Sequence, residues 1–166
     1  MRLAEESRAR LERFFRSYER DEMLRLPPVH VHAGFWSKGL TRLLRIAAIT
    51  LGRHIFVARG VLWRDVSGQL AMHGWLLAHE TAHVRQYQRA GFLPFIFDYV
   101  RQYLVFLVRR GKFDARARTE AYEQIAQERE AREVEAAYLA WRTSVPPPPG
   151  RKLSLIKRGR GVTPPP

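Results

Sequence analysis

Apolar residues recur at helical spacing in four stretches of this chain. Leu11, Phe14, Phe15 and Tyr18 form one stripe, and the spacing predicts a helix within residues 1–26 that ends at Pro27-Pro28. Leu76-Leu77-Ala78, Val84 and Tyr87 predict a second helix over residues 71–90, with Gly91 as its stop. Residues 92–110 are apolar except for a narrow stripe of Asp98, Arg101, Gln102 and Arg109, which predicts a mostly buried helix; placement in a membrane interface is the less favoured alternative. Ile125, Val134, Ala137, Tyr138 and Trp141 continue one face of a helix predicted from Asp114 to Trp141.

Between the first two helices the period changes. Val29-His30-Val31-His32 alternates as a short strand does, with both histidines on one face, a pair too small to make a second metal site by itself. His54 to Ala58 is β-branched and aromatic between Gly52 and Gly60, and Val61-Leu62-Trp63 reads as a return strand. Residues 37–45 suggest a short helix, while residues 46–51 fit helix or strand equally. The expected fold is α+β, mainly helical, with a small sheet.

Composition limits what this pattern can be. With 166 residues, 46% of them hydrophobic, the chain can bury the core of one domain. Three parts are expected: an N-terminal amphipathic helix (1–28) docked through its aromatic stripe, a central domain (29–142), and a disordered Pro-rich basic tail (143–166). The absence of cysteine excludes disulfides and thiolate metal ligands. Residues 1–21 have no apolar signal region, and residues 92–108 are too interrupted to span a bilayer; a cytoplasmic location and no transmembrane segment are expected. The net charge of +13 includes Arg151, Lys152, Lys157, Arg158 and Arg160 in a tail without acids. That distribution fits weak docking on anionic surfaces better than sequence-specific nucleic-acid recognition.

The chemistry is concentrated in His79-Glu80-Thr81-Ala82-His83. Residues four apart share a helix face, so His79 and His83 can offer ring nitrogens to one Zn²⁺ ion. Glu80, beside the first histidine, can take a proton from a water acidified by the metal. Catalytic zinc generally needs a third protein ligand. The remaining histidines, His30, His32, His54 and His73, all precede the motif, whereas a carboxylate-rich helix follows it. Glu120 is the expected third ligand, with Glu123 and Asp114 as alternatives.

The stretch LLAHETAHVRQYQRAGF, followed by RTEAYEQIA, resembles the gluzincin metallopeptidases, in which a second helix donates a glutamate to the HExxH metal. More narrowly, it looks like uncharacterised bacterial zinc peptidases related to the core domain of extracellular contractile injection systems, with a first helix reading HExxHxxQ and a later Glu-Ala pair. The resemblance covers about residues 48–126. It implies a zincin-like minimal metallopeptidase fold, His79, His83 and Glu120 as ligands, and Glu80 as general base. Many gluzincins have an aspartate one turn after the glutamate ligand to orient a histidine; Gln124 stands there, so an amide would do that work. By the same resemblance, the strand at His54 to Ala58 is the expected sheet edge for an extended peptide.

Together these readings describe a zinc-dependent peptidase acting on a peptide or protein substrate. Tyrosines or His73 are candidate donors to the tetrahedral oxyanion. The alternative is a non-catalytic assembly or interaction module in which one zinc ion staples two helices.

Overall fold

A computed structural model describes residues 5–35, 37–39, 47–64 and 70–144. Of the tail expected over residues 143–166, Thr143 and Ser144 are helical and the rest lies outside these residues, as does most of the helix expected over residues 37–45. The chain runs through α1 (Glu5–Glu19), β1 (His30–His32), β2 (Ala48–Leu51), β3 (His54–Val57), a 3-10 turn (Arg59–Val61), β4 (Leu62–Arg64) and β5 (Leu70–Met72). Four helices follow: α2 (Gly74–Ala90), α3 (Phe92–Arg110), α4 (Ala115–Gln124) and α5 (Ala126–Ser144). The architecture is α+β and mainly helical, as the hydrophobic periodicity predicts.

One apolar core joins the first helix to the sheet, α2 and α5. The stripe of α1 buries Leu11, Phe14 and Phe15, while Tyr18 stays partly exposed. The ring of Phe14 meets Tyr138 of α5 edge-on, with centroids 5.1 Å apart, and lies 5.6 Å from Trp141. Val31, Ile55 and Val57 enter the core from the sheet, Leu77, Ala78, Ala82 and Val84 from α2, and Ala131, Val134 and Tyr138 from α5. Helices α2 and α5 form the most extensive helix pair. Gly74 permits this closeness, because a Cβ there would stand 2.6 Å from the Tyr138 hydroxyl.

The three-stranded sheet has the order β1-β3-β2, with β1 parallel and β2 antiparallel to β3. The strand beginning at His54 is therefore central, not the edge that the resemblance implies. Its alternating residues supply Ile55 and Val57 to the core, and both of its sides are hydrogen-bonded. Among the described residues the outer strand beside α2 is β2, so Ala48–Leu51, within the stretch that fits helix or strand equally, is a strand. The return strand exists as β4, but it pairs with β5 in a separate ladder. Residues 71–72 belong to that ladder, so α2 begins at Gly74, three residues later than the apolar spacing suggests.

Two further expectations are corrected. The helix expected from Asp114 to Trp141 is broken at Ile125, whose extended backbone (φ −62°, ψ 129°) ends α4 before α5 starts. The side chain of Asp114 caps α4 by accepting from the Ala117 N–H at 2.8 Å. Helix α3 is not mostly buried: Phe95 and Leu107 are its buried residues, while Leu93 and Phe97 are 75% and 72% exposed. Gly91, at φ +84°, turns the chain so sharply after α2 that α3 departs at 114° and only its inner side reaches the body.

Candidate metal centre

Helix α2 carries His79, Glu80 and His83 on its inner side, and all three are buried. The carboxylate that meets the two imidazoles is Glu128, in the first turn of α5. Its Oε2 lies 3.5 Å from His79 Nε2 and its Oε1 3.3 Å from His83 Nε2. Among the described residues, His79, His83 and Glu128 form a buried group that could hold one metal ion.

Glu120 takes a different position from the expected one. It sits on α4, where it pairs with Arg110 and, at 2.9 Å, with Arg116. The break at Ile125 puts α4 and α5 on separate axes, so counting along one continuous helix misassigns the inward face. The alternatives Glu123 and Asp114 are both exposed and stand outside the group as well. The sequence does hold a signal for Glu128. It falls three residues before Ala131, six before Val134 and ten before Tyr138, on the stripe that α5 buries. A carboxylate on a buried apolar stripe needs a cationic or metal partner.

The surroundings orient the donors. His83 Nδ1 lies 2.8 Å from Gln86 Oε1, an acceptor that holds the proton on Nδ1 and leaves Nε2 facing Glu128. The amide nitrogen of Gln86 donates to the Gln127 carbonyl and to Glu130 Oε2, each at 3.0 Å, so its direction is set by α5. Gln124, expected to support an imidazole, is exposed at the end of α4; Gln86, the last residue of the HExxHxxQ pattern, does that work. On the other imidazole, Glu135 Oε2 approaches His79 Nδ1 at 3.3 Å. The Tyr99 hydroxyl donates to Glu128 Oε1 at 2.8 Å, and Tyr122 also bonds this carboxylate.

Electrostatics sort these groups. Burial raises the Glu128 pKa, yet hydrogen bonds from His79 and His83 outweigh it and hold the carboxyl well below its ordinary range. Burial lowers the His83 pKa, but bonding to Glu128 reverses the sign and leaves it raised. Burial is also the main cause that raises the Tyr99 and Tyr122 phenols, with the Glu128 charge adding to it, so both remain hydrogen-bond donors. Glu80, next to His79 on α2, accepts from Thr50 Oγ1 at 2.7 Å. Burial raises its pKa against the opposing effects of His83, Thr50 and His79.

Chemically, the site fits a divalent cation. Glu128 Oε2 is buried with no polar partner closer than His79 Nε2 at 3.5 Å, an acceptor that a cation between them would satisfy. Two imidazole Nε2 atoms and one carboxylate make the donor set of a three-ligand zinc site. Gln86→Ala should weaken Zn²⁺ binding by about ten- to a hundredfold, as for other outer supports of a ligand histidine. Competition with a chromophoric chelator measures this.

The expected donors outside the group lie elsewhere. His73 stands before α2 with its ring 4.6 Å from Trp63 and 5.6 Å from Trp75. His30 and His32 are half-buried on one sheet face, and His54 joins them, its Nδ1 2.9 Å from His32 Nε2.

Comparison with known proteins gives one assignment. The family model of the eCIS core domain matches residues 2–91, over half of the chain, ending one residue beyond α2. No curated protein and no solved structure matches.

Proposed function

This chain belongs to the eCIS core domain family, and we propose that it is a zinc-dependent peptidase whose metal is held by His79, His83 and Glu128. The observation that carries the reading is the placement of Glu80. It belongs to the same helical turn as the histidines, is held by Thr50, and stays outside the ligand group. When bound, zinc supplies Lewis acidity that acidifies water and polarises an amide carbonyl. Glu80 takes the proton of the attacking water and delivers it to the leaving amine. Thr50 fixes the carboxylate through Oε2, leaving the other oxygen for that transfer. Tyr99 and Tyr122 hold Glu128, and through it the geometry of the ligand set. An extended peptide would run along the outer side of β2, the strand that carries Thr50.

A second reading is favoured by burial. His79, Glu80, His83 and Glu128 are each no more than 9% exposed, as in a structural metal site that staples α2 to α5. In that reading the domain serves assembly, in keeping with its family. The two are separated by incubating zinc-loaded protein with a mixed peptide library. The peptidase reading expects cleavage that falls by about a hundredfold or more in Glu80→Gln while zinc content stays unchanged. Full zinc occupancy in the wild type without cleavage of any peptide overturns the peptidase and favours the staple.

A further inference from the structure

Among the described residues, helix α3 leaves a continuous apolar ridge uncovered. Leu93, Phe97, Val100, Leu104 and Val108 follow one another at intervals of three or four residues and are between 46% and 75% exposed. On a 100° helical wheel these five positions fall within an arc of about 80°, and the ridge is about 22 Å long. Phe113, at 60% exposure, follows the C-terminal end of the helix. Isolated exposed apolar residues are ordinary; a contiguous strip of this kind marks an interaction surface.

Charge identifies the occupant. From Phe92 to Lys112 the basic residues are Arg101, Arg109, Arg110 and Lys112, and the one acid is Asp98; Arg101 pairs with Asp98 and Arg110 with Glu120, so the basic excess is at the C-terminal end, at Arg109 and Lys112. Asp98 is engaged by Arg101, Gln102 and Gln127, each near 2.7–2.8 Å. In a parallel pair of copies the basic ends at Arg109 and Lys112 would meet, which disfavours that arrangement. A single convex ridge with a basic end needs no matching groove if it meets an anionic bilayer.

We infer that α3 is an interfacial helix that seats this domain on a membrane rich in anionic phospholipid, its apolar ridge entering the headgroup boundary and its basic C-terminal end meeting phosphate. The helix lies in the plane of the surface. No single helix among the described residues is long and apolar enough to cross a membrane, and α2, the preceding helix, is committed to the core. The inner side of α3 stays on the protein, where Phe95 lies against Tyr87 and Tyr99 bonds Glu128. The docking is independent of whether the metal centre is catalytic.

The full chain carrying Phe97→Trp tests this with phosphatidylcholine vesicles containing or lacking phosphatidylserine. Anionic vesicles should shift the emission of the new fluorophore to the blue relative to wild type, and brominated lipid should quench it; neutral vesicles should do so weakly. Phe97→Ser with Leu104→Ser, both at exposed positions, should reduce co-sedimentation by roughly tenfold. Replacing Arg151, Lys152, Lys157, Arg158 and Arg160 by Gln, which removes the charge of the tail, should leave the emission shift in place. An unchanged emission spectrum overturns the inference, whether or not the protein sediments, because binding would then run through the tail alone. A wild-type dimer that the serine pair dissociates also overturns it, in favour of self-association.

Discussion

Glu128→Ala should abolish stoichiometric zinc binding, while Glu120→Ala should leave it intact. Zinc held by a folded site with a binding free energy of about 10–16 kcal/mol owes several kcal/mol to each ligand, so losing one should weaken binding by about a hundred- to a thousandfold. The loss is sharpened at this position because the substitution leaves two buried imidazoles facing a void and removes the acceptor of Tyr99. The control is informative since both glutamates lie on neighbouring helices eight positions apart, yet Glu120 faces Arg110 and Arg116. Elemental analysis after dialysis against limiting zinc reads the result. Equal zinc in both variants would show that the carboxylate of α5 is not a ligand, and zinc lost only from Glu120→Ala would restore the assignment to α4.

Phe14→Ala should destabilise the folded chain by about 3–5 kcal/mol, the usual cost of deleting a buried phenylalanine ring. Phe14 is 1% exposed and contacts Phe15, Tyr18, Tyr138 and Trp141, so the cavity would open between α1 and α5. The collapse that softens such losses is hindered, because Arg85 of α2 is tied to Glu19 of α1 and the Tyr138 ring is fixed against Gly74. Since α5 also carries Glu128, zinc affinity should fall alongside stability, although residue 14 lies outside the ligand set. Urea unfolding monitored by circular dichroism checks the magnitude. A loss below about 1 kcal/mol would mean that α1 is a detachable cover and not part of the core.

The helix spacing, the aromatic stripe of α1 and the residues His79, Glu80 and His83 were legible because they are local. A four-residue interval within one helix fixes a shared face whatever the rest of the chain does. Gln86 belongs with them: three residues beyond His83, its reach to the imidazole is set by the helix itself. The exposure of α3 was not legible, since an apolar helix has the same composition whether a neighbour covers it or not. Its bend at Gly91 and its one-sided contact decide the matter.

The sequence by itself determined that His79, Glu80 and His83 share a helix, and it pointed to a later carboxylate-rich helix as their neighbour. Only the tertiary structure decided which glutamate completes their site and which strand borders it. A single extended residue, Ile125, separates α4 from α5 and turns Glu120 toward arginines while Glu128 faces the histidines. Such a break costs little locally and has a weak sequence signature. Its orienting effect comes from long-range packing of Ala131, Val134 and Tyr138 against α2 and α1, a sum of contacts that no short window of the chain contains.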